Sequence, residues 1–220
     1  MSRLPMWIGQ HLAAIRAMIV LTVVCGALYP LLILGVAQAA FPNQANGSLV
    51  TVNGRVAGSS LLCQEFVDAK GNPLPQYFQP RPSTASAPKG ASITSPGTSQ
   101  YGCDPDYSGA SNLGPNNPTL LKNVDGYKSA YEQMYHVSAS QVPPDAVTTS
   151  GSGLDPYISP QNAAIQAVEV ASARHLPLPV VQGLVAKYTQ SRVLGFLGEP
   201  QVNVLLLNIA LDKPRGQATG

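Results

Sequence analysis

Charge is scarce in this chain of 220 residues: only 11% of its side chains belong to Asp, Glu, Lys or Arg, where an ordinary soluble domain carries about 25%. The little charge present has no excess of either sign beyond the first forty residues. Of thirteen basic residues only Arg3 and Arg16 precede residue 40, so the remainder balances the eleven acids, all of which lie beyond it. That balance excludes nucleic acid as a partner, because neutralising phosphates needs clustered lysine and arginine. Histidine and cysteine are equally sparse. His11, His136 and His175 are scattered, and Cys25, Cys63 and Cys103 contain no C-x-x-C, so no metal site is expected. The usual catalytic patterns are missing too: no G-x-x-x-x-G-K-[ST], no G-x-S-x-G, no H-E-x-x-H and no G-x-G-x-x-G opening a helix. The D-K-T-G-T run that carries the phosphorylated aspartate of P-type ion pumps is absent as well. No catalytic residue is assigned, and the chain is read as non-enzymatic.

What is present begins with one apolar run. From Ala17 to Ala40 the chain reads AMIVLTVVCGALYPLLILGVAQAA, with no charged side chain. About 20 such residues cross a hydrocarbon core as a helix, and a lone span must be helical because its amides find no water there. Pro30 is expected to kink it, with Thr22 and Gly26 easing the break. Ala37-Gln38-Ala39 fits a signal-peptidase site, but an h-region is only about 7 to 15 residues long, so a retained anchor is the reading adopted. Arg3 and Arg16 flank its amino end and the next charge after it is Arg55, which places the amino terminus in the cytoplasm. The expected order is residues 1–16 cytoplasmic, 17–40 transmembrane and 41–220 extracytoplasmic.

The remaining length suits one domain with a real core. Twenty glycines and twenty prolines predict a loop-rich α+β domain with a small sheet and about three helices. Leu49–Val52, Asn53-Gly54 and Arg55-Val56 read as a hairpin, and residues 60–66 either extend its second strand or begin a third. Asn46-Gly47-Ser48 matches a glycosylation acceptor but is read as turn chemistry. Tyr77–Ser83 is extended by its prolines, and residues 84–107, poor in large apolar side chains, are expected to form a mobile surface loop. Asn117-Pro118 and Ser159-Pro160 each supply a cap and a first-turn proline. The first helix points Leu120, Val124, Tyr127, Tyr131 and Met134 inward, and the second points Ala164, Val168 and Ala171 inward until Pro177. A third opens at Pro179 with Val180, Val181, Leu184, Val185 and Tyr188 on one stripe. Residues 202–211 fit a buried strand, with Leu205, Leu207, Ile209 and Leu211 on one face, or a short core helix.

Two features are candidates for a site. Cys63 and Cys103 fall in the exported part, where thiols oxidise, and are expected to form a disulfide. Thr149-Ser150-Gly151-Ser152-Gly153-Leu154-Asp155 is a candidate partner or nucleotide loop, since a Gly-Ser-Gly turn brings backbone amides close to an anion. The competing reading is a rigid turn leading into the helix at Pro160, with Asp155 bonding nearby amides.

Several strings together resemble a family. Asn46-Gly47-Ser48-Leu49, Tyr77-Phe78 with Arg81-Pro82-Ser83, Ser111-Asn112-Leu113-Gly114-Pro115, the run Val142–Pro156, and Leu194–Pro200 with Val202-Asn203-Val204-Leu205 occur in the order seen in the C subunit of the bacterial Kdp-type potassium-transporting ATPase. The resemblance implies an accessory subunit in the bacterial plasma membrane. Its implied partners are an ATP-hydrolysing P-type subunit, a channel-like potassium-selective subunit, a small membrane peptide and lipid. It also implies no firmly bound cofactor, with ATP reaching the chain only through the complex, and a chaperone role that raises the nucleotide affinity of the ATP-hydrolysing subunit. Because ATP is cytoplasmic and the Gly151 turn is expected outside, an allosteric route is preferred. The chain departs from the family at residues 84–107, which look long, and at Cys63, where a small residue is usual, so a bridge there would be an elaboration of this branch. The rival function is a stand-alone membrane-anchored extracellular binding domain.

Overall fold

The computed structural model describes residues 5–68, 70–85, 103 and 107–213. It divides after Leu49 into two compact units. The first is dominated by α1 (Met6–Val23) and α2 (Tyr29–Ala40), joined through a π-helical turn over Val24–Leu28. Pro30 explains that turn: it has no N–H to give the Gly26 carbonyl, and its ring crowds that carbonyl, so the ladder widens just before it. The expected kink thus takes the form of a π-bulge. Met6–Ala40 is 35 residues long, about 50 Å at the helical rise, and by length and composition is able to cross a membrane. A single turn of helix, α3 (Pro42–Ala45), ends at Asn46, whose side chain exchanges hydrogen bonds with that of Gln38 and donates to the Pro42 carbonyl.

At the division comes the hairpin β1 (Leu49–Val52) and β2 (Arg55–Ser59), all of it but Leu49 in the second unit. Asn53 and Gly54 take φ of 51° and 76°, the paired left-handed conformation of a two-residue hairpin turn. Residues 60–66 form no strand; Phe66 instead accepts from the Leu74 amide in an irregular turn. A second, three-stranded antiparallel sheet has the order β3 (Tyr157–Ile158), β5 (Gln201–Asn203), β4 (Thr189–Gln190). Val202 lies opposite both Ile158 and Thr189, so its fully buried side chain sits at the centre of the sheet.

Helices α4 (Pro118–Tyr135), α5 (Pro160–Ala173), α6 (Leu178–Tyr188) and α7 (Val204–Asp212) complete an α+β architecture with one helix more than expected. Asn117 and Ser159 cap α4 and α5 through the Thr119 and Asn162 amides, as their sequence predicts. The core gathers Phe78, Ile158, Ala163, Ala167, Val170, Val181, Val202, Val204 and Leu207. Of the three residues expected inward on α5, only Ala171 is buried. Ala164 is exposed and Val168 is 57% exposed, while Ala163, Ala167 and Val170 are buried together with Asn162 and Gln166. Counting apolar residues alone misplaced the stripe, because two amide side chains share the buried face. On α6, Val180 is likewise exposed, whereas Val181 and Val185 are buried.

The segment 202–211 resolves into both of its alternatives. β5 occupies the first two residues, Asn203 caps by accepting from the Leu206 amide, and α7 begins at Val204. Val204, Leu205, Leu207, Asn208 and Leu211 are buried at helical spacing, which replaces the alternating strand face; Ile209 is only half-buried.

The buried amides explain how the extended segment at Phe78-Gln79 is held without a neighbouring strand. Asn208 accepts from the Phe78 amide and donates to the Phe78 carbonyl, both at 2.9 Å. Gln166 does the same for Gln79, at 2.7 and 3.1 Å. Each side chain supplies the donor and acceptor that a sheet partner would otherwise supply, so two fully buried residues keep their backbone groups paired. Gln166 also donates to Asn162 Oδ1, which accepts from the Tyr131 hydroxyl, and Asn162 Nδ2 donates to Asp145.

Candidate functional site

The loop Thr149–Asp155 is built as a joint. Gly153 is buried at φ 73°, and a Cβ placed on it would lie 2.6 Å from the Gly109 carbonyl oxygen and 2.9 Å from Ala85 Cβ. Only glycine fits that backbone. Two residues away the constraint vanishes: Gly151 is exposed, and a Cβ there would have nothing within 4 Å. Ser152 is exposed, and Thr149, Ser150, Leu154 and Asp155 are half-buried.

The polar groups of the loop are largely engaged within the domain. The Gly153 and Leu154 amides donate to Ser150 Oγ and Ser152 Oγ. The Ser152 carbonyl accepts from the Gly109 amide and the Ser108 hydroxyl, and the Gly153 carbonyl accepts from Ser83 Oγ at 2.5 Å. Asp155 Oδ1 accepts from the Tyr157 amide while Oδ2 meets Arg81 at 3.0 Å. Arg81 also donates to the carbonyl and hydroxyl of Thr148. An anion nest needs unengaged amides converging on one point; at Gly153 and Leu154 the serine hydroxyls already occupy them.

Cys63 and Cys103 are joined in a disulfide with their Cα atoms 5.7 Å apart. Both are buried beneath the same loop: their sulfurs lie 3.4 and 3.8 Å from the Gly153 carbonyl oxygen, and the Cys63 amide donates to the Leu154 carbonyl. The two sequence candidates thus form one site. Residues 86–102 and 104–106, most of the surface loop expected over 84–107, lie outside the described residues. Sequence reasoning did not single out Arg81, Ser83 or Gly109 as members of this site. Arg81 and Asp155 are 74 positions apart, and nothing in local spacing joins them.

A second polar cluster ties the end of α5 to the carboxyl end of α7. Arg174 donates to the Gln76 and Leu211 carbonyls, pairs with Asp212 at 2.7 Å and lies 4.7 Å over the Tyr77 ring. The Tyr77 hydroxyl donates to Asp212; burial first, and the Asp212 carboxylate second, push its pKa above the ordinary 10.0. Among the described residues no group of three or more His, Cys, Asp or Glu is placed to hold a metal ion.

Comparison with known proteins decides the family. Residues 11–213 match the family model described as KdpC: K+-transporting ATPase, c chain. The chain belongs to the KdpC family. It is 45% identical over 208 residues to the potassium-transporting ATPase KdpC subunit of Methylococcus capsulatus, covering 94% of this chain and 100% of that one. It is 48% identical over 202 residues to the KdpC subunit of Sorangium cellulosum, covering 92% and 96%. The KdpC subunit of Geobacter sulfurreducens is 44% identical over 200 residues, covering 90% and 95%. The match spans both units, so the apolar helix and the α+β domain belong to the KdpC pattern together.

Proposed function

We propose that the chain is a non-catalytic accessory subunit of an ATP-driven potassium uptake complex in the bacterial plasma membrane. Its apolar helix spans the bilayer with the amino end cytoplasmic, and residues 41–220 lie on the outer side. The match to KdpC over nearly the whole chain is the observation that carries this reading. Its partners are the ATP-hydrolysing P-type subunit, the channel-like potassium-selective subunit and the small membrane peptide implied by the family resemblance. The chain raises the nucleotide affinity of the ATP-hydrolysing subunit through helix contacts in the membrane, a coupling free energy between distant sites, and not by holding ATP in the Gly151 turn. In support, the Gly153 and Leu154 amides are bonded to Ser150 and Ser152, and Asp155 is paired with Arg81.

Sidedness is the decisive test. Gly151→Cys introduces an exposed thiol where the structure has open space. In intact cells with a permeabilised outer layer, a membrane-impermeant maleimide is expected to label this variant and not the parent chain. Labelling only after the plasma membrane is broken would reverse the topology and make direct nucleotide contact the better account.

A further inference from the structure

The Gly153 carbonyl is where the disulfide and the Thr149–Asp155 loop meet. Its oxygen lies 3.4 Å from Cys63 Sγ and 3.8 Å from Cys103 Sγ and accepts from Ser83 Oγ. The Cys63 amide also donates to the Leu154 carbonyl, so one half of the bridge is bonded to the loop backbone. The other half, Cys103, stands in the chain between Ala85 and Gly109, whose atoms are the two nearest the place where a Gly153 Cβ would stand. Bringing Ala85 and Gly109 onto the loop costs chain entropy, and a bridge that pins the intervening stretch at Cys103 removes part of that cost.

The dependence also runs the other way. Both half-cystines are only 5% exposed, and a reducing thiolate must reach a sulfur directly to open the bridge. With the loop closed, its backbone lies in the way. Yet neither cysteine belongs to the two hydrophobic clusters of the core, and neither does Ala85. Opening the bridge therefore takes nothing from that core.

From this mutual contact we infer that Cys63–Cys103 is a redox latch on the Gly153 joint: oxidation favours the closed loop, and reduction releases the loop locally while the core stays packed. To close the latch, Cys63 and Cys103 each give up a proton and an electron as their sulfurs join. An oxidant of the disulfide class takes up both electrons and both protons, and its own S–S bond breaks into two thiols. The alternative is a passive staple, which acts on the unfolded chain alone and is indifferent to how the loop packs. Linkage separates the two. If the bridge favours the closed loop by some factor, the closed loop favours the bridge by the same factor.

The test uses the full chain in detergent with Cys25, its free cysteine, replaced by alanine. The chain is equilibrated with mixtures of reduced and oxidised dithiothreitol, and the bridged fraction is counted by trapping thiols with a maleimide. Gly153→Ala is expected to lower the equilibrium constant for bridge formation at least tenfold. Ser83→Ala, which removes one hydrogen bond to the same carbonyl, should lower it about threefold. Gly151→Ala, and Val181→Ala in the core of α6, should leave it within about twofold of the parent. In a second arm, hydrogen exchange is compared between the bridged chain and the Cys63→Ala, Cys103→Ala variant. Peptides covering Gly153-Leu154 should exchange at least tenfold faster without the bridge, and those of α5 and α7 at an unchanged rate. Equal constants in all variants overturn the latch, as does a loss in Val181→Ala matching that in Gly153→Ala, because the bridge would then follow overall stability. Exchange that accelerates uniformly, or not at all, overturns it as well. Ser83→Ala and the exchange arm decide the question even where Gly153→Ala folds poorly.

Discussion

Two glycines separated by one serine are expected to respond in opposite ways to the same methyl group. In Gly153→Ala the new Cβ lies 2.6 Å from the Gly109 carbonyl oxygen, 2.9 Å from Ala85 Cβ and 3.1 Å from Ser83 Oγ, at a backbone φ of 73°. The left-handed conformation costs an alanine about 1–2 kcal/mol and the forced displacement of packed backbone about 1–3 kcal/mol more, for a total of about 2–5 kcal/mol. The displaced groups are the ones that hold the loop: Ser83 donates to Gly153, and the Gly109 amide donates to Ser152. In Gly151→Ala the methyl group meets nothing within 4 Å, and the change is expected to stay within about 0.5 kcal/mol of the parent. The assay is urea unfolding of the full chain in detergent, followed by the near-ultraviolet dichroism of its tyrosines. At about 2 kcal/mol per molar urea, Gly153→Ala should lower the midpoint by about 1 M or more. Equal midpoints for the two variants would refute the view that this loop is a structural joint locked at Gly153.

The amide clasp and the Arg174 cluster yield two further expectations. Gln166→Leu removes both hydrogen bonds to Gln79 and leaves a fully buried amide and carbonyl unpaired. It should cost about 2–4 kcal/mol in the same unfolding assay, and a loss below about 0.5 kcal/mol would show that the clasp is dispensable. Tyr77 holds its proton more tightly when folded than when unfolded, through burial first and the Asp212 carboxylate second. Its contribution is therefore fully present below pH 10.0 and is lost as pH rises through the higher folded value. Stability measured between neutral pH and pH 11 should fall at the alkaline end, and Tyr77→Phe should flatten that fall; an unchanged slope in the variant would assign it to other groups.

Signals that act over a few residues and signals that depend on surroundings behaved differently. Asn117-Pro118, Ser159-Pro160 and Asn53-Gly54 act through hydrogen bonds or φ angles within three residues, and the structure places each as its sequence predicts. The Gly151 and Gly153 positions looked equivalent within one short motif, and only their surroundings distinguish them.

By itself the sequence determined the long apolar helix with its break before Pro30, the hairpin turn, two capped helix starts, the balance of charge and the family to which the chain belongs. Each of these depends on composition or on neighbours a few positions apart, which any conformation of the chain carries with it. The tertiary structure alone decided that Asn208 and Gln166 face inward, because their partners at Phe78 and Gln79 lie 130 and 87 positions away, and that Asn162 does, because Tyr131 and Asp145 reach it from outside its own helix. It also decided that the apolar run after Gln201 is a strand only as far as Asn203: β3 and β4 can pair no more of it, Asn203 caps α7, and the remaining apolar side chains reach the core at helical spacing.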